Sequence, residues 1–499
     1  LEALGARFDA QIELRAFQLS IFPRPEIMGE GLVIRHRGRT DVPPLISVES
    51  FSAAAGLLGL VQRPLRLHSV TLEGLHIRLS PDRDDPDDEG QPRDRDHDDA
   101  ARDSRARTDA ATSEEGARER IASLVVGRIT STDARLEIPS SKPGKLPRVF
   151  EIHRLVLDEF GLDRPATFEA ALTNPKPAGE IETQGSFGPW DREEPRRTSI
   201  DGTYTFTDAD LGTIKGISGT LSSRGSFTGV LERLEVQGDT DTPDFSVDVA
   251  GQPVHLKTQF KAVVDGTNGD TWLQPVIASV LQSEIRAEGA VVRSEDVKGR
   301  LVKLDVTVQK GRIEDLLKLA MKSTTPPLVG AVTLDTALEI PPGDRDVVEK
   351  LRLDGQFALR EARFTNFNIQ KRVDMLSRRG RGDTDDSDGE SVASDMKARF
   401  VLRDGALTLK PLTFNVPGAG VRLSGTYSLP KETLDFKGDL LLAAELSETT
   451  SGWKAALAKL AQPLFRRPGG GSRVPITVGG TREKPQFGLD VKRAITPGD

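Results

Sequence analysis

Apolar and polar residues alternate along most of this chain. In VTLEGLHIRLS, Val70 and Leu72 alternate with Thr71 and Glu73, the phase slips at Gly74, and Leu75, Ile77 and Leu79 then alternate with His76 and Arg78. A period of two predicts a strand with one apolar and one polar face. The same pattern sets Val254, Leu256, Phe260, Ala262 and Val264 on one side of VHLKTQFKAVV, and Val332, Leu334, Leu338 and Ile340 on one side of VGAVTLDTALEI. Strands are also expected over 10–37, broken at Pro23 and Pro25, in succession from 121 to about 308, and as hairpins over 397–442. Near the end, VPITVGG and QFGLDV are expected to pair, with Val474, Ile476 and Val478 against Phe487, Leu489 and Val491.

Three stretches read as helix. An Ala-rich segment, 52–60, precedes Pro64; GRIEDLLKLAMKS (311–323) repeats Ile313, Leu316, Leu317 and Ala320 at helical spacing; and 451–466 places Trp453, Leu457, Leu460 and Leu464 on one side, flanked by Lys454 and Lys459. The last is expected to cap the sheet, since an exposed sheet edge or end needs cover. Two polar runs, 81–120 and 377–396, lack apolar periodicity and are read as disordered loops, because they cannot offset the entropy of ordering. The expected organisation is therefore an N-terminal β unit with a short helix (1–80), an acidic loop (81–120), a central β-rich region (121–310), a helix with strands (311–376), a polar loop (377–396) and a C-terminal β region (397–499).

Charge changes the picture little. Fifteen acidic against eight basic residues between 82 and 120 give a net −7, nearly all of the chain's −8. The remainder is close to neutral and carries no basic stripe, so nucleic acid is not expected as a partner. The arginines within the acidic run, and the lack of a suitably spaced turn glycine, argue against a calcium loop there. With 499 residues the chain exceeds one compact core, and with no cysteine it has neither disulfides nor thiolate metal sites. No apolar run approaches the ~20 residues that span a bilayer. The sequence begins at Leu1, and an N-terminal anchor or signal is expected to be missing from it.

Candidate chemistry is sparse. The six histidines are scattered, no His-x-x-x-His is present, and no G-x-S-x-G elbow or phosphate-cradling loop occurs between a strand and a helix. No catalytic residue, metal or cofactor is assigned, and a non-enzymatic role is expected. Alternation by itself leaves two possibilities open. The apolar faces pack on one another in sandwiches, or they line a surface on which acyl chains could be buried.

FDAQIELRAFQLSIFPRPEIMGEGLVIRH followed by RPLRLHSVTLEGLHIRLS resembles the N-terminal portion of the AsmA family of bacterial envelope proteins. GTLSSRGSFTGVLERLEVQGDTDTPDFSVDVAGQPVHLKTQFKAVVDGTNGDTWLQPV is similar to the middle of some AsmA-like proteins. FTNFNIQKRVDMLSRRGRG, GTYSLPKETLDFKGDLLLAAELSETTSGWKAALAKLAQPLFRR and VPITVGGTREKPQFGLDV resemble the family's C-terminal region, in the same order. The resemblance implies a periplasmic protein tethered to the inner membrane and associated with outer-membrane biogenesis. It also implies an elongated, curved, largely antiparallel β-sheet forming a gutter for phospholipid or other acyl chains, with few capping helices. The long acidic loops depart from the family pattern. On this reading Leu72, Leu75, Ile77, Leu79, Val254, Leu256, Phe260, Val332, Leu334, Leu338 and Ile340 line the groove, while His76 and Arg78 face water. The competing expectation is a scaffold that assists outer-membrane protein insertion by strand addition at a sheet edge.

Overall fold

In the computed structural model, residues 10–20, 25–36, 44–56, 65–78, 124–138, 147–161, 163–191, 194–248, 252–294, 297, 299–365, 371, 373, 374, 377, 393–443, 472–482 and 484–489 are described. They are mainly β and largely antiparallel, with 26 strands and a single helix longer than one turn among them. The chain divides into two compact units. Unit 1 is Leu1–Asp210 with Ser222–Val236 and Asp265–Thr267; unit 2 is Leu211–Leu221, Gln237–Val264 and Asn268–Asp499. Among the described residues no helix is long and apolar enough to cross a membrane.

Unit 1 contains β1 (Ala10–Glu13), β2 (Ala16–Ser20), β3 (Glu26–His36), β4 (Ile46–Ala55), β5 (Leu65–Glu73), β6 (His76–Arg78), β7 (Leu124–Ile138), β8 (Arg148–Gly161), β9 (Ala166–Pro175), β10 (Ala178–Phe187) and β11 (Ser199–Asp210). β1 and β2 pair end to end along one side of β3, and β4 takes the other side. β5 and β6 both pair parallel to β7, whereas β7 to β11 are successive antiparallel neighbours. A parallel pairing needs a connection of a dozen residues or more, and the chain between Arg78 and Leu124 supplies it.

The phase slip read at Gly74 involves no inserted residue: Glu73 and His76 lie opposite Ser50 and Ser47 of β4, and beside Thr132 and Arg135 of β7, in one continuous register. Gly74 has φ +61, and a Cβ there would lie 2.5 Å from Glu49 Cγ, so the kink suits glycine. It keeps Leu72, Leu75 and Ile77 on one face. They pack with Val48, Ala134, Leu32, Ile46, Phe51 and Ile152 as the core of this part of unit 1.

The helix expected over 52–60 is not formed where the chain is described. Ala53 and Ala54 lie in β4, paired with Ile27 and Glu26 on one side and with Val70 and Ser69 on the other. Alanine's helix preference is a fraction of a kcal/mol per residue, and two flanking strands outweigh it. Residues 57–64, 79–123, 378–392 and 444–471 lie outside the described residues, and with them all of the loop 81–120, most of 377–396 and all of 451–466. At the margins of the second loop two corrections apply: Ser377 is fully buried and donates to Pro417 O, and 394–396 belong to a strand.

β12 (Ile217–Ser218) lies in unit 2, and β13 (Thr220–Val230) and β14 (Arg233–Val247) contribute residues to both units. Unit 2 continues with β15 (Val254–Val264), β16 (Thr271–Val280), β17 (Ser283–Arg293), β18 (Arg300–Arg312), helix α1 (Ile313–Ala320), β19 (Leu328–Ile340), the single turn α2 (Val347–Lys350) and β20 (Arg352–Phe364). β21 (Ser394–Arg403), β22 (Ala406–Val416), β23 (Ala419–Ser428), β24 (Thr433–Leu442), β25 (Ser472–Gly480) and β26 (Pro485–Leu489) complete it. From β15 to β26 each strand pairs antiparallel with the next. The terminal hairpin forms in the expected register, Val478 opposite Phe487 and Ile476 opposite Leu489.

Candidate functional site: an in-register apolar face

The strand pairings of unit 2 align the apolar positions into rows that cross the sheet. One row runs Leu304, Leu338, Leu353, Leu402, Leu407, Tyr427 and Leu434 from β18 to β24. Another runs Val308, Leu334, Phe357, Ala398, Leu412, Leu423, Gly438, Ile476 and Leu489 from β18 to the edge strand β26. Residues that alternate with these rows along the strands point to the other face, as in the adjoining Lys303, Glu339 and Arg352, where Arg352 Nη1 donates to Glu339 Oε1 at 2.7 Å. Because the side-chain period is two, a one-residue slip would turn the whole apolar row outward, so register and face specify each other.

Most apolar positions in the middle of these strands are half-buried; Leu304, Leu334, Leu338, Leu353, Leu407 and Leu434 are all of this kind. One buried cluster of the face, Ala398, Phe400, Leu409 and Phe436, is packed by Leu334, Leu353, Phe357, Leu407, Leu412, Leu423, Tyr427, Leu434 and Val478. Among the described residues, every one of these partners comes from a strand of the same sheet. The face is also kept low. At Gly425 a Cβ would fall 2.0 Å from Asp435 O and 2.8 Å from Phe436 Cδ1, so the absence of a side chain lets the Phe436 ring lie down on the sheet.

At one end of the strands the face is covered. Ile313 and Leu316 of α1 pack on Val308, Val332, Leu359 and Ala362. The helix is held by its own first-turn acids. Asp315, only 5% exposed, accepts hydrogen bonds from Gln282 N at 3.0 Å and Ser283 Oγ at 2.8 Å. Glu314 accepts from Gly330 N at 3.0 Å and from Arg312 Nε at 2.7 Å.

The sequence-predicted lining residues divide accordingly. Leu334, Leu338 and Ile340 are half-buried on the apolar side of β19, and Leu256 and Phe260 are half-buried on β15. Val332 is closed in beneath α1 rather than lining an accessible surface, and Val254 is likewise buried at 4% exposure. In unit 1, Leu72 and Ile77 flank the buried Leu75. Leu79 and the proposed cap, Trp453, Leu457, Leu460 and Leu464, lie outside the described residues.

No protein-family model, curated protein or solved structure matches this chain.

On the polar side of unit 1, His76 and Arg78 do not simply face water. Glu137, buried on β7, accepts hydrogen bonds from Arg78 Nη2 and from His76 Nε2, the latter at 2.9 Å. The Arg78 hydrogen bond first, then its charge and the His76 contact, hold the Glu137 carboxyl below the ordinary carboxylate range against the opposing effect of burial. Pattern reading missed this triad, because β6 and β7 are brought side by side only by a parallel pairing across 45 intervening residues, 79–123. The role of Asp315 was equally hidden, since an acid in a first helical turn is ordinary in sequence.

Proposed function

We propose that this chain is a non-enzymatic protein of the bacterial cell envelope that holds phospholipid or other acyl chains on its apolar β face and passes them toward the outer membrane. The AsmA-like order of segments, a periplasmic location and attachment to the inner membrane belong to the same proposal. The observation that supports it is the alignment of apolar rows across the strands of unit 2, kept through the register shifts of several pairings and half-buried along their middle, where a filled sandwich would hold fully buried side chains. An acyl chain gains about 0.8 kcal/mol per methylene removed from water, so ten buried methylenes supply ~8 kcal/mol before the entropy of association is subtracted.

The test is native mass spectrometry of detergent-free protein combined with uptake of a fluorescent phospholipid. Leu338→Asp and Leu334→Asp place a charge on the face, and each is expected to lower uptake at least tenfold with the far-ultraviolet circular dichroism unchanged. Folded variants with full uptake would contradict the proposal.

A second reading, a scaffold acting by strand addition, is favoured by exposed apolar residues on strands that pair on one side only among the described residues. Phe17 and Leu19 of β2 are 71% and 57% exposed, and Phe487 and Leu489 of β26 are 55% and 64% exposed. It predicts that edge variants such as Phe487→Asp impair outer-membrane protein insertion in cells, whereas Leu338→Asp does not.

A further inference from the structure

The hairpin β2–β3 of unit 1 leaves apolar side chains in water. Phe17 and Leu19 of β2 are exposed, and so are Ile27 and Met28 of β3, at 43% and 39%. Among the described residues, four of the eleven exposed large apolar side chains lie on this one hairpin, which makes them a patch rather than scatter. The pairing sorts them by face. Leu19 lies opposite Ile27 and Phe17 opposite Gly29, which sets Phe17, Leu19 and Ile27 on one side; Met28, opposite Gln18, is on the other. Leu19, Ile27 and Met28 all sit within two residues of the last pair, Ser20 with Glu26.

The same end of the sheet is where β4 stops and β5 begins, since Ala54 lies opposite Glu26 and Ala55 opposite Leu67. The connections that leave this end, 21–24 and 57–64, have the sequences IFPR and LLGLVQRP: six apolar residues, two arginines and no acid. Connections between strands are ordinarily polar.

A protein partner does not account for apolar residues on both faces. A strand added at the open edge of β2 pairs with backbone and covers neither face. A second sheet stacked on the hairpin covers one face and leaves the other wet. Hydrocarbon covers both at once. We infer that this end of unit 1 docks on a lipid bilayer, with Leu19, Ile27 and Met28 lowered into the boundary between headgroups and acyl chains. The insertion is shallow, about 5–10 Å, the depth that apolar faces reach at that boundary. The fold itself sets this limit. Among the described residues β2 is paired on one side only, and the N–H and C=O groups of its other side must stay within reach of water or headgroups. Phe17, two residues farther from the end, then lies at headgroup level.

Leu19 and Ile27 also begin a row that continues through Ala53, Val70, Ile129, Leu157 and Phe168, from β2 to β9. A bilayer docked at the hairpin therefore meets the apolar side of unit 1 at its margin. The docking stands without the acyl-chain reading above; use of this row as a way onto the protein rests on that reading.

The chain has no cysteine, so Leu19→Cys, Met28→Cys and Gln11→Cys each give one site for an environment-sensitive fluorophore. Gln11 is exposed on β1 opposite Arg35, eight residues along β3 from Ile27, at most about 26 Å at ~3.3 Å per residue. With phosphatidylcholine vesicles, the labels at 19 and 28 are expected to shift to the blue and to be quenched by spin-labelled acyl chains, and the label at 11 to do neither. Co-sedimentation needs no label: Leu19→Asp combined with Met28→Asp should lower vesicle affinity at least tenfold with the far-ultraviolet circular dichroism unchanged. Met28→Asp alone should already weaken it several-fold. Unshifted labels at 19 and 28, equal quenching at all three sites, or full vesicle binding by the folded double variant would overturn the docking. So would a blue shift that needs no vesicles and grows with protein concentration, the sign of a second copy on the hairpin. Docking without uptake of fluorescent phospholipid would leave this inference standing and overturn the acyl-chain reading; uptake without docking would do the reverse.

Discussion

Glu137 shows how much one residue can depend on its neighbours. Its carboxyl titrates below the ordinary range because Arg78 and His76 bond it. A folded-state pKa below the unfolded value contributes stability that is present above the unfolded pKa and lost as pH falls through the lowered one. Unit 1 should therefore lose thermal stability on acidification below the ordinary carboxylate range, and Glu137→Gln should flatten that dependence in a series of unfolding curves against pH. Gly425 makes the opposite kind of prediction. Gly425→Leu drives a Cβ into Asp435 O and the Phe436 ring, and denaturant unfolding should show a loss of about 1–3 kcal/mol. At this scale the sequence was partly legible. The inward set Leu72, Leu75 and Ile77 could be read across the slip at Gly74, because alternation resumes in the opposite phase directly after the glycine. The partners of His76 and Arg78 could not, because they come from a strand placed beside them by tertiary pairing.

At the scale of elements, periodicity located α1 and most strands, and the Val478–Phe487 hairpin register followed from alternation alone. It failed at 52–55, where alanines carry no periodic signal and β4 is imposed from both sides. It also gave no warning that Val332 would lie under α1, because a sequence pattern names a face and not what covers it. The attachment of α1 can be tested directly. Asp315→Ala takes the acceptor from Gln282 N and leaves Ser283 Oγ with Arg312 alone, for an expected cost of about 1.5–3 kcal/mol. Hydrogen exchange should accelerate first at 313–320 and at the β16–β17 turn; uniform acceleration across unit 2 would instead mean that the helix and sheet unfold as one.

For the whole molecule, two compact units built almost entirely from strands present apolar faces whose fully buried clusters are small. The alignment of the apolar rows in unit 2 is the structural support for the functional proposal. The central claim is that this face binds hydrocarbon. Native mass spectrometry of detergent-free protein tests it most directly. Phospholipid-sized adducts on the unaltered chain, absent from folded Leu338→Asp, are the result expected; bare protein in both, with no uptake of added fluorescent phospholipid, would contradict it.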